Sequence, residues 1–126
     1  MQERRKRMEY YIAYSVIFLL FSALIIYIFY HQGYCFVWGK DGAAQHYPTL
    51  VYIHRYIREF FGNLLHGRWR LPMVDYTIGE GMDVITTLNY YGFGDPLLLL
   101  AGICPESGLE ILYGLLIFVR MYLSGI

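Results

Sequence analysis

An uncharged apolar run, YYIAYSVIFLLFSALIIYIFY, fills residues 10–30. At about 1.5 Å per residue, a helix of that length covers the roughly 30 Å hydrocarbon core of a bilayer. The tail SGLEILYGLLIFVRMYLSGI predicts a second membrane helix over residues 108–126. Its uninterrupted part, ILYGLLIFV, lies between Glu110 and Arg120. A briefer run, DPLLLLAGICP, is too short to cross a bilayer alone. It predicts a re-entrant or interfacial helix over residues 95–104, with Pro96 in its first turn and Pro105 breaking it. Between the spans the pattern changes from continuous to periodic. Leu50, Ile53, Ile57, Phe60, Phe61, Leu64 and Leu65 recur at intervals of three and four, while Arg55, Arg58, Glu59 and Asn63 take other faces. That spacing predicts an amphipathic helix over residues 48–66, with Pro48 in its first turn and an end at Gly67. Such a helix lies flat on the membrane face or packs over membrane helices, and His54 and His66 fall at its boundary.

The expected class is therefore an all-α membrane protein: two transmembrane helices joined by a long outer loop, residues 31–107, that carries the amphipathic helix and a short Pro-terminated helix. Charge sets the orientation. Arg4, Arg5, Lys6 and Arg7 in residues 1–9 hold the amino terminus in the cytoplasm as a basic tail, which puts the loop outside. A cleaved signal peptide has a shorter apolar core and a small-residue cleavage site, whereas Tyr27, Phe29, Tyr30 and His31 close this run. The second span ends without a basic flank, so the expectation is the front part of a longer polytopic protein.

Composition agrees. Hydrophobic residues make up 57% of the chain against 16% charged, and 14 tyrosines suit a membrane–water boundary. A formal net charge of zero points away from nucleic acid. Cys35 and Cys104 match no metal-ligand spacing and read as apolar filler. Gly79, Gly81, Gly92 and Gly94 form no phosphate-binding motif, so nucleotide binding is not indicated. They let the backbone turn closely over a ligand or over the membrane helices. Asp75 and Asp83 sit among apolar residues and read as turn caps.

Candidate chemistry centres on FVWGKDGAAQHYPTL. Taken alone, Asp41 belongs to a Lys-Asp-Gly turn. In transfer from a lipid-phosphate sugar, a carboxylate at headgroup level can accept the proton of the attacking hydroxyl. Arg55, Arg58, Arg68 and Arg70 in the same loop can offset the phosphate that leaves. Asp41 and His46 are both metal-ligand types, but two residues do not make a site, and a divalent metal stays open. Arg120, about 15 Å into its span, faces a bundle interior or snorkels to the cytoplasmic headgroups.

The stretches DGAAQHYP and DVITTLNYYGFGDP, with LYGLLIFVRMYLSG after them, resemble the amino-terminal part of the bacterial YfhO family. The resemblance runs from about Tyr14 to Ile126. It implies the front part of a GT-C-type polytopic fold in the bacterial cell membrane. It also implies transfer of a sugar from a polyprenyl-phosphate donor, such as undecaprenyl phosphate, to a cell-envelope polymer such as teichoic acid. On that basis Asp41 is the catalytic acidic residue of the first outer loop, His46 and Tyr47 are its neighbours, and Asp83 lines the same cavity. The implied partners are membrane lipid, the lipid-linked sugar and the remainder of the protein, without which this chain is expected to be inactive. A noncatalytic two-span scaffold or accessory subunit is the rival reading, with a flippase-like or transporter fragment third.

Overall fold

The computed structural model describes residues 2–126, and these are mostly helical. They form two compact units: residues up to Phe36 with Gly114–Ile126, and Val37–Tyr113.

The first unit is built on α1, Gln2–His31, which absorbs the basic residues 2–9 into the same helix as the apolar run. The expected tail is thus a helical extension, and an Arg5–Glu9 ion pair at 3.0 Å spans one turn of it. α1 is apolar all round through its middle, and Leu19, Leu20, Phe21 and Tyr27 are each largely exposed. A helix of this kind suits lipid rather than water. Against it lies the later part of α5, Leu109–Ser124. The Tyr14 and Tyr122 rings stack at 5.5 Å, and the Tyr14 hydroxyl donates to the Tyr122 carbonyl at 3.1 Å. Ser15 Oγ donates to the Tyr11 carbonyl at 2.7 Å, so the Tyr122 hydroxyl, 2.8 Å away, donates to Ser15. At the other end Phe36 stacks on Phe29 at 4.9 Å and meets Phe118 edge-on at 5.1 Å. The two helices are antiparallel. Gly114 lies under Phe36 and Gly125 under Tyr14, small residues where the partner's rings approach closely. Among the described residues, two helical stretches are long and apolar enough to cross a membrane: Gln2–His31 and Glu106–Ser124.

The second unit is organised around α2, Tyr47–Leu65. Helical backbone starts earlier than the 48–66 expected, because a π-helical turn, Gly42–His46, runs straight into α2. Pro48 does fall in the first turn of α2, as expected, but within this longer helical run. A proline clashes with the carbonyl one turn back in a regular α-helix, and the wider π turn relieves that register: Tyr47 N–H bonds to the Gly42 carbonyl. The other end follows the expectation. Gly67, at φ +70°, closes α2 with Gly67 N–H on the Leu64 carbonyl at 3.0 Å and Arg68 N–H on that of Asn63 at 2.9 Å. This is the paired bonding of a Schellman cap.

Beyond α2 the chain forms a small antiparallel ribbon, β1 (Val74–Asp75) with β2 (Met82–Asp83), pairing Val74 with Asp83 and Asp75 with Met82. An all-α reading misses it because two-residue strands carry no periodicity. Then come α3 (Val84–Asn89), a 3₁₀ turn at Pro96–Leu98, α4 (Leu99–Ile103) and a second 3₁₀ turn at Glu106–Gly108. The short helix expected at 95–104 is thus a 3₁₀ turn followed by barely more than one α turn. Its main neighbour is α2. Leu50, Ile53, Tyr56, Val84, Leu88, Leu98 and Ala101 are buried. The apolar stripe of α2, expected to face lipid or membrane helices, is covered in large part by its own unit. One expectation is overturned here: His54 is not a boundary residue but 3% exposed, with Nδ1–H donating to the Ala101 carbonyl at 2.6 Å. A carbonyl only accepts, which sets the tautomer.

Candidate functional site

Lys40 precedes the π-helical turn at φ +62°, the one non-glycine residue in the left-handed region among the described residues. Asp41 follows with helical backbone, exposed, and its side chain makes no capping hydrogen bond. An unfavourable backbone conformation and a π turn thus stand in succession around one free-facing carboxylate. Both kinds of irregularity concentrate where a site needs a side chain presented in a particular direction.

The turn is dressed in rings. Trp38 covers buried Gly42, where a Cβ would strike the indole. The His46 ring lies 6.1 Å from Trp38, 6.4 Å from Tyr90 and 5.3 Å from Tyr91, centre to centre. The Tyr91 hydroxyl donates to Gln45 Oε1 at 3.0 Å. DGAAQHYP and LNYYGFGDP, about 45 residues apart in sequence, therefore meet in space. Trp38 and Tyr90 keep half or more of their surface open to solvent. Tyr47 turns to another neighbour, with its ring edge-on to Tyr113 at 6.2 Å.

The other expected site residues are not gathered here. Asp83 caps α3, its Oδ1 accepting from Thr86 N–H at 2.7 Å. Chiefly that bond holds its carboxyl below the usual carboxylate range. Tyr90 and Tyr91 follow the opposite end of the same helix, about 9 Å of rise away. Arg55 is paired with Glu106. Arg55 and Arg58 lie on the same continuous helical run as Asp41, about 20 Å or more further along its axis, beyond reach of a phosphate held at Asp41. Arg68 and Arg70 lie past its far end and are exposed. Among the described residues no group of three His, Cys, Asp or Glu side chains is placed to hold a metal ion.

Sequence reading missed the parts played by Trp38, Gln45 and Tyr91. The signal present was aromatic: Phe36 and Trp38 closely precede DGAAQHYP, and the tyrosine pair interrupts the glycine-rich stretch. It also missed Tyr52, whose hydroxyl donates to Asp75 Oδ2 at 2.6 Å while Asp75 Oδ1 takes Thr77 N–H at 2.8 Å and the Thr77 hydroxyl at 2.7 Å. Asp75 does cap a turn, as expected, and it also ties the ribbon to α2.

The chain matches no protein-family model, no curated protein and no solved structure.

Proposed function

We propose that this chain contributes the outer-face acceptor side of a membrane glycosyltransferase that takes its sugar from a polyprenyl phosphate. The observation that carries the reading is the meeting of DGAAQHYP and LNYYGFGDP around the π-helical turn, with Asp41 free at its start and the His46 ring against Tyr91 at 5.3 Å. In this reading Asp41 takes the proton of an acceptor hydroxyl as that oxygen bonds to the anomeric carbon. The bond from that carbon to the phosphate oxygen breaks, and the electron pair leaves with the phosphate. Exposed faces of Trp38 and Tyr90 offer flat apolar surfaces for the C–H face of a sugar ring, and Gln45 offers an amide beside them. The phosphate's charge is met by groups other than Arg55 and Arg58, given their distance along the helix.

The test is Asp41→Asn in the protein as it occurs in the cell membrane, with any further segment or partner it carries. Sugar transfer is expected to fall by at least about a hundredfold, the lower range for losing a general base, while membrane insertion is unchanged. Retained transfer sinks the assignment. Capture of a specific protein partner by a chain with no transfer activity supports the scaffold reading instead.

A further inference from the structure

Away from Asp41, the second unit contains a cavity of about 360 Å³ between α2 and the segment that leads into α4. Ile53, Ile57, Phe60, Phe61, Phe93 and Leu99 are among the side chains that form its wall. Its polar groups are already engaged. The Tyr56 hydroxyl donates to the Pro72 carbonyl at 2.8 Å, and Asp95 Oδ1 accepts from Leu97 N–H at 2.9 Å. A ligand there finds apolar walls and little hydrogen bonding. At a water-like ~30 Å³ per non-hydrogen atom the space holds about a dozen such atoms, the size of one hydrocarbon segment.

What borders the cavity is cationic and amphipathic. Leu71, in the wall, directly follows Arg68, Trp69 and Arg70. Both arginines are exposed, and no carboxylate lies within ion-pair distance of either among the described residues. Trp69 is 85% exposed, and Leu65 and Tyr76 nearby in sequence are 86% and 84% exposed. Water does not favour so much bare apolar surface on one short stretch, whereas the headgroup layer of a bilayer accepts it. Along the chain this unit comes after α1 and leads into α5, both apolar enough to cross a membrane.

We infer that this cavity and its Arg68-Trp69-Arg70 border bind an anionic membrane phospholipid, with a stretch of one acyl chain in the cavity and the headgroup phosphate on the arginines. Charge complementarity selects this occupant over an uncharged lipid, and the apolar wall suits a stretch of acyl chain rather than a headgroup. The site is separate from Asp41: Phe60 and Phe61 lie about 30 Å further along the helical run. It therefore stands whether or not the chain takes part in glycosyl transfer.

The experiment measures lipid retention by native mass spectrometry on the full chain in detergent. It is offered phosphatidylglycerol, phosphatidylcholine of the same chains, and an unesterified fatty acid. Two arginines at the surface imply a roughly thirtyfold preference for phosphatidylglycerol over phosphatidylcholine. Arg68→Gln with Arg70→Gln should erase that preference, and Leu99→Trp, which fills the cavity, should abolish retention of both lipids. Asp41→Asn should change neither. Equal retention of the two phospholipids by the unaltered chain overturns the inference, as does stronger retention of the fatty acid. Should Leu99→Trp disturb folding, the two exposed arginine substitutions decide alone, and a preference that survives them also overturns it.

Discussion

Tyr52, Asp75 and Thr77 show how much a single carboxylate can organise. Asp75 accepts three hydrogen bonds, one from α2 and two from its own turn, and so joins the ribbon to the central helix. The Tyr52 bond first, and then the Thr77 backbone bond, hold its carboxyl below the usual range. Burial first, and then the same bond to Asp75, push the Tyr52 hydroxyl above its ordinary value. The sign follows for each group. Asp75 binds fewer protons folded than unfolded, so its contribution is present above about pH 4 and is lost as pH falls through its lowered value. Tyr52 holds its proton more tightly when folded, so its contribution is complete below about pH 10 and is lost as pH rises through its raised value. The ribbon should resist proteolysis across the range between and open at both extremes. Tyr52→Phe should shrink both limbs in a pH series of limited proteolysis at residues 74–83, and an unchanged series would exclude the tether. That Asp75 caps a turn was legible locally, because Asp followed two residues later by Thr is short-range chemistry. Its long-range partner was not, since nothing in the chain between Tyr52 and Asp75 encodes their approach.

At the scale of elements, the π-helical turn and the α2–α4 contact decide what the periodic pattern could not. Three-and-four spacing correctly located α2, its apolar stripe and its glycine stop. It placed the start at Pro48, one residue after the observed start of α2 at Tyr47, but gave no sign of the π-helical turn Gly42–His46 that leads into it. The contact between α2 and α4 depends on Gly102, whose hydrogen faces Ile57 with no room for a methyl group. Gly102→Ala should destabilise the second unit by about 1–2 kcal/mol, overpacking outweighing the helix-propensity gain of alanine. Adding Ile57→Ala should recover part of that loss. Thermal unfolding of single and double variants in detergent measures both, and simple additivity of the two losses would exclude a direct clash. His54 belongs here too: its place on the helical wheel reads as a boundary, but α4 packs over it and the Ala101 carbonyl satisfies it.

For the molecule as a whole, two apolar helices pack antiparallel through Tyr14, Ser15, Phe36, Phe118 and Tyr122. Hydrogen bonds among polar groups inside such a pair are worth making in lipid, where no water replaces them. We propose, from the basic residues that open α1, that its first turns face the cytoplasm and the second unit faces outward. A cysteine placed at Tyr76, with Cys35 and Cys104 replaced by serine, should react with a membrane-impermeant maleimide on intact cells. One placed at Gln2 should react only after permeabilisation. The reverse pattern would invert the topology, and reaction at both positions in intact cells would remove the spans.

Sequence alone determined the two apolar helices and the amphipathic helix between them, because length and periodicity are short-range properties of a chain; Asp41 it offered only as a candidate. Tertiary structure alone decided which of the candidate residues share a place. It brought His46 to Tyr91, Tyr52 to Asp75 and Arg55 to Glu106, and it set Arg55 and Arg58 well along the helix from Asp41. Proximity in a folded chain comes from packing between elements distant in sequence, and a rigid helix keeps its own residues apart just as firmly.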